Sequence, residues 1–159
     1  MKTRTQTPDS QSHIAVKLVL VSLFVLLVAS ACSTGNVGQL EVGDCFDDWE
    51  GATADTGSQE ITDVPIIECA EPHDNEIYSM EDLPDGTFPG NAAVEEAVVE
   101  MCYDGFEAFV GLPYEESSLD FGWLFPTADS WADGDREVVC FVYDLELAKL
   151  TGSMANAGI

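Results

Sequence analysis

Residues 91–110 read NAAVEEAVVEMCYDGFEAFV. Val94, Ala97, Val98, Met101, Cys102, Gly105 and Phe109 recur at spacings of three and four, which gathers them on one side of a helix. Glu96, Glu100, Asp104 and Glu107 fall on the other side, where charge stays in water. Asn91 has the short polar side chain of an N-cap, Gly111 suits a left-handed stop, and Pro113 forbids continuation. The stretch predicts one amphipathic helix that carries Cys102 on its buried face, and its Met and Phe positions read as core rather than as a cofactor box.

Around that helix the pattern changes to strands. Residues 136–143, REVVCFVY, are nearly apolar on both faces and predict a central strand. Phe121 to Phe125 predicts a strand closed by Pro126, and Ala132-Asp133-Gly134-Asp135 predicts a turn. Upstream, Leu40 to Phe46, Ile61 to Cys69 and Glu76 to Met80 read as strands, with Pro65 confined to an edge or a strand start because it lacks a ladder donor. Asp47 to Glu60, with Trp49 its only large apolar residue, reads as a loop, and Ala70 to Asn75 as a turn. Strands surrounding a single main helix make an α+β domain: a largely antiparallel sheet of about five strands, stapled by two disulfides.

The chain has 159 residues, 30 acidic and 5 basic side chains, a formal charge of −25 and 46 % hydrophobic residues. That is enough for one domain with a real core, and too apolar for a disordered acidic tail. It excludes nucleic acid as a partner, because phosphate binding needs clustered Lys and Arg. Lys2, Arg4 and Lys17 precede the apolar run Leu18 to Ala29, a basic segment and hydrophobic core of the length of a secretory signal, short for a spanning helix. Ala29-Ser30-Ala31-Cys32 resembles the lipobox of bacterial lipoprotein signal peptides, with Ala29 where Leu is commonest. The resemblance implies cleavage before Cys32, a diacylglyceryl group on its thiol, and a mature chain tethered to the outer face of the cell membrane. The domain organisation that follows is a signal peptide over 1–31, a flexible tether over 32–39, an extracytoplasmic domain over 40–152 and a loose tail over 153–159. Loss of residues 1–31 removes three bases and only Asp9 from the acids, so 29 carboxylates face two bases, Arg136 and Lys149. Such a surface is repelled by anionic head groups and should stand off the bilayer. Its complements are cationic proteins, divalent cations or solvent.

With Cys32 assigned to lipid, Cys45, Cys69, Cys102 and Cys140 remain, an even set with three possible pairings. No C-x-x-C pair occurs, which argues against zinc and thioredoxin-type redox sites. The favoured pairing is Cys45–Cys69, between neighbouring strands, with Cys102–Cys140, tying the helix to the buried strand. Such bridges contribute roughly 3–4 kcal/mol each by loop closure.

Val42-Gly43-Asp44-Cys45-Phe46, Cys69-Ala70-Glu71-Pro72-His73-Asp74-Asn75-Glu76, the helical Cys102, Pro126, Trp131-Ala132-Asp133-Gly134-Asp135-Arg136 and Cys140 follow one another in that order. The ordered set resembles the septum-formation domain of actinobacterial envelope proteins, over roughly Leu40 to Gly152. The resemblance implies a lipidated or membrane-anchored extracytoplasmic protein with a role in the division septum and an envelope or division protein as partner; it implies no defined reaction.

His73 is the one histidine past residue 31 and neighbours Asp74. A His–carboxylate pair suits a general base, but there is no G-x-S-x-G, and the cysteines are committed to bridges. His73 and Asp74 therefore read as a structural motif in which the ring nitrogens fix the turn. Trp131, Asp135 and Arg136 read likewise, with Arg136 expected to pair with Asp44, Asp74 or Glu76. The spacing of Asp129, Asp133 and Asp135 lacks the EF-hand pattern, and the cluster of Asp44, Asp47, Asp48 and Glu50 is no more regular, so no metal is assigned. Nothing in the sequence asks for a cofactor. The expectation is a non-catalytic, lipid-anchored envelope binding module; the alternatives are an envelope hydrolase using His73 with a carboxylate, and a calcium-dependent adhesion or sensing module.

Overall fold

The computed structural model describes residues 33–48, 61 and 63–159. The stretch expected as a signal peptide, Cys32, Trp49 and Glu50 lie outside the described residues. The elements are β1 (Ser33–Asn36), β2 (Cys45–Phe46), β3 (Asp63–Ile67), β4 (Asn75–Asp82), helix α1 (Asn91–Val110), β5 (Leu119–Leu124), the short helix α2 (Ala128–Ala132) and β6 (Glu137–Asp144). The strands form one antiparallel sheet in the order β1-β3-β2-β4-β6-β5. The α+β architecture with one main helix is therefore as the sequence predicts, with one strand more than expected. Both predicted disulfides are formed, Cys45–Cys69 and Cys102–Cys140, with Cα separations of 5.2 and 5.5 Å.

Strand β6 is interior and its residues alternate between two cores. Val138, Cys140 and Val142 pack beneath α1 with Val94, Val98, Cys102, Phe106 and Val110. Val139 and Phe141 pack on the opposite face with Leu40, Phe46, Val64 and Ile77. Burial on both faces is why this strand reads as a continuous apolar run. In β4 the register against β6 shifts between Ile77 and Ser79. Tyr78 faces the α1 core, whereas Ile77 and Met80, three residues apart, both belong to the other. A bulge re-aims side chains in this way, and here it places the Tyr78 hydroxyl to donate to the Cys102 carbonyl at 2.6 Å. Burial pushes the Tyr78 pKa up.

Several local expectations change. Helix α1 has the predicted bounds, and Gly111 stops it in the left-handed region at φ 82°. Its N-cap, however, is Gly90 at φ 97°, with Asn91 already the first helical residue. Ala97, expected on the buried face, is exposed, while Phe106 is fully buried. The strand expected over Leu40 to Phe46 shrinks to Cys45–Phe46 because Glu41 to Asp44 folds into a turn. Asp44 Oδ2 accepts from the Glu41 amide at 2.9 Å, and Gly43 takes φ 96°. In the stretch expected as a tether, Ser33–Asn36 instead pairs with β3 and Val37–Gln39 forms a 3-10 turn capped by Asn36. An edge strand needs only a partner's ladder, not a hydrophobic period, so its Ser/Gly/Asn composition hid it. Helix α2 was also not foreseen. A reciprocal capping box between Thr127 and Ser130 starts it. Among the described residues no helix is long and apolar enough to cross a membrane.

The tail is not loose. Met154 is buried in the α1 core. The amides of Asn156 and Gly158 donate to the carbonyls of Phe109 and Val110 at 2.7 and 2.9 Å. The last carbonyls of a helix lack intrahelical partners, and the tail supplies them.

Candidate functional site: the turn before β4 and the C-terminal strap

The turn from Cys69 into β4 gathers the buried polar side chains His73, Asn75 and Glu76. The sequence lists them side by side, but only the fold shows what they hold. His73 forms a two-way backbone bridge with Leu150, the His73 amide donating at 3.1 Å and the Leu150 amide at 2.8 Å. Next along, the Gly152 amide donates to the Cys69 carbonyl at 2.6 Å. Glu76, 1 % exposed, then closes the contact with both carboxylate oxygens: Oε1 accepts from the Ser153 hydroxyl at 2.6 Å and Oε2 from the Met154 amide at 2.5 Å. A buried carboxylate is tolerated when such donors replace its water.

Around this strap the remaining turn residues are also engaged. Lys149 Nζ sits between Asp47 Oδ1 at 2.7 Å and Asp74 Oδ2 at 2.8 Å. Partial burial pulls the Lys149 pKa down, but the hydrogen bonds and charges of Asp47 and Asp74 outweigh it and hold the group above its ordinary value. Asp74 Oδ2 also accepts from the Asp48 amide, and Asn75 donates to Asp48 Oδ1 at 3.0 Å. The His73 ring is fully buried, with Nδ1 2.8 Å from the Glu71 carbonyl. A nitrogen facing a carbonyl carries the proton in the neutral ring. Nε2 is buried with no hydrogen-bond partner among the described residues. Thus one ring nitrogen fixes the turn, not two.

Arg136 is at the far end of the sheet from this turn, and none of its expected partners is the one it meets. It immediately precedes β6, opposite the end of β4, where the Leu83 amide donates to its carbonyl, whereas Asn75 and Glu76 begin β4. Its guanidinium lies 3.9 Å from the centre of the Trp131 ring and donates to the Trp131 carbonyl at 2.9 Å and to the Asp135 carbonyl. Nε is 3.5 Å from the exposed Asp85 carboxylate. Trp131 in turn donates to the Gly86 carbonyl at 2.9 Å and packs edge-on to Phe88. Asp135 Oδ1 accepts from the Glu137 amide. Trp131, Asp135 and Arg136 thereby form a corner that ties α2 to the loop after β4.

Cys45 Sγ, Cys69 Sγ and a Glu76 oxygen lie within 4.8 Å of one another, but bridged sulfurs are not metal ligands. Among the described residues no other three His, Cys, Asp or Glu side chains converge so closely; Asp129, Asp133 and Asp135 share no site. A shallow acidic depression lies between α1 and the following turn, walled by Tyr103 and Tyr114, where Tyr103 donates to Glu115 at 2.6 Å. At the β5 edge of the sheet, nearby side chains blunt the strand: the Leu119 amide donates to Oγ of Ser117, just before β5, and the Phe121 amide to Asp120 Oδ1. Asp120 also accepts from Tyr114 and Tyr143.

The sequence model of the family described as Septum formation matches residues 30–140. The chain belongs to that family. No curated protein and no solved structure matches it. All four bridged cysteines, the His73 to Glu76 turn and the Trp131–Arg136 corner lie within the Septum formation match, which begins before Leu40 and ends at residue 140, short of the Gly152 limit read from the sequence. The strap, with Lys149, Ser153 and Met154, lies beyond it. Sequence reading missed these three residues. Only Lys149, one of two bases in a very acidic domain, carried a signal that could have found it.

Proposed function

We propose that this Septum formation protein is a non-catalytic binding module of the cell envelope, held at the outer face of the cell membrane through a lipid on Cys32 and engaging an envelope or division protein as the septum forms. Family membership supports the septal role. The observation that carries the non-catalytic reading is the state of the one His–carboxylate constellation among the described residues. The His73 ring is fully buried, Asp74 is paired with Lys149, and both oxygens of Glu76 are held by the strap. A general base must reach the proton it removes, directly or through one water; here the ring is sealed inside the fold, and the two carboxylates face the chain's own C-terminal segment. The lipobox-like Ala29-Ser30-Ala31-Cys32 supports the anchor.

The test is in-cell crosslinking of the native protein, with identification of captured neighbours and intact-mass analysis of the purified chain. The expected result is a chain beginning at an acylated Cys32 that captures division or wall-synthesis proteins. Recovery of a full-length, unacylated chain overturns the anchor, and repeated capture of no specific neighbour overturns the binding role.

A further inference from the structure

The two disulfides occupy different environments. Cys102 and Cys140 are sealed between α1 and β6, at 0 % and 1 % exposure. In the other bridge Cys45 is sealed at 1 %, but Cys69, past the end of β3, is only half-buried. The buried Glu76 carboxylate lies within 4.8 Å of both Cys45 and Cys69 sulfurs, and the same carboxylate holds Ser153 and Met154. The Cys69 carbonyl itself accepts from Gly152 of the strap. One end of this bridge is therefore approachable, and the bridge shares its anchors with the C-terminal segment.

We propose that Cys45–Cys69 is an exchangeable disulfide, opened at Cys69 by a dithiol reductant, and that its opening releases the strap. The thiolate of the reductant attacks Cys69 Sγ and forms a mixed disulfide. The Cys45–Cys69 bond breaks, its electron pair leaves on Cys45 Sγ, and that sulfur takes up a proton from water. The reductant's second thiol then attacks its own sulfur in the mixed disulfide, expels Cys69, which is protonated in turn, and departs as a cyclic disulfide. Two electrons and two protons pass from the dithiol to the bridge. Glu76 governs the rate, because a carboxylate beside the departing Cys45 disfavours its thiolate, and a poorer leaving thiolate leaves more slowly. The freed thiols no longer fix the Cys69 carbonyl and the start of β4 relative to each other, and both hold the strap.

The experiment treats the full chain, any free thiol first blocked, with increasing dithiothreitol under native conditions, then alkylates it and maps the labelled cysteines by peptide mass. Amide hydrogen exchange of the strap is followed on the same samples. Cys45 and Cys69 are expected to label at least about tenfold faster than Cys102 and Cys140, in keeping with their access to the attacking thiolate. Exchange at Met154 and Gly152 should rise in step with that labelling. Glu76→Gln is expected to open the bridge about three- to tenfold faster by improving the leaving group. Ser153→Ala, which loosens the strap but keeps the charge, should open it less fast than Glu76→Gln. Simultaneous opening of both bridges, prior opening of Cys102–Cys140, or no labelling below the concentration that unfolds the chain overturns the proposal. Unchanged strap exchange in the opened protein overturns the release, and equal rates in the two variants overturn the role of the Glu76 charge.

Discussion

Glu76 offers the most direct measurement of how the strap is held. Its two oxygens accept from different donors, the hydroxyl of exposed Ser153 and the buried Met154 amide, while Glu76 itself is 1 % exposed. Glu76→Gln keeps both contacts in altered form. The amide oxygen still accepts from Met154 N–H, and the amide NH2 donates to Ser153 Oγ once that hydroxyl rotates. What is lost is the charge assistance, about 1–2 kcal/mol for the pair. Glu76→Ala loses both bonds and leaves the Met154 amide buried without an acceptor, so it should cost about 3–5 kcal/mol. Against a typical net stability of roughly 5–15 kcal/mol, the second change endangers the fold and the first does not. Urea unfolding monitored by tryptophan fluorescence, with both bridges oxidised, measures the two costs. Hydrogen exchange at Met154 localises them. A Glu76→Ala loss below about 1 kcal/mol, a size expected of ordinary surface changes, would refute the claim that this carboxylate anchors the strap.

Three further outcomes are expected. A Cβ added at Gly122 would meet the Phe141 ring at 2.5 Å, so Gly122→Ala should destabilise by about 1–3 kcal/mol by overpacking, measured by chemical denaturation. Tyr143 is pushed up to about 12 by burial and by Asp120, which it hydrogen-bonds. The unfolded chain ionises this phenol near its ordinary value of about 10, so its contribution is full below pH ~10 and is lost as pH rises towards the folded value. Thermal melts of Tyr143→Phe should show a shallower alkaline loss than the native protein; an identical slope contradicts the assignment. Met154→Ala, at 6 % exposure in the α1 core, should cost about 2–5 kcal/mol in the same denaturation assay, whereas a truly loose tail would lose nothing.

Periodicity alone was sufficient for the features in which one face is buried and the other wet. The helix 91–110 is bounded as its pattern predicts, because its acids and its apolar residues are separated by the helical period and Gly111 supplies the stop. The double-sided burial of β6 was likewise visible, since a strand between two cores has no polar position to alternate with. The disulfide pairing was legible once helix and strands were placed, because Cys102 and Cys140 each fell on a buried face. Within α1 the period alone did not rank the apolar positions: Ala97 lies where the pattern permits burial and is exposed, whereas Phe106 is fully buried.

What the linear chain could not contain is the identity of partners brought together across long separations. Arg136 offered a charge and no address; the antiparallel pairing of β4 with β6 carries it to Trp131 and Asp85 and away from Asp74 and Glu76. Ser33–Asn36 and the C-terminal strap have compositions that ask for no structure. Their order comes from donors and acceptors already exposed elsewhere: the edge of β3, the last carbonyls of α1 and the carboxylate of Glu76. Hydrophobic period is a local property and is written in the sequence. Hydrogen-bond satisfaction is a property of the folded surface, and only the tertiary structure decides which segment supplies it.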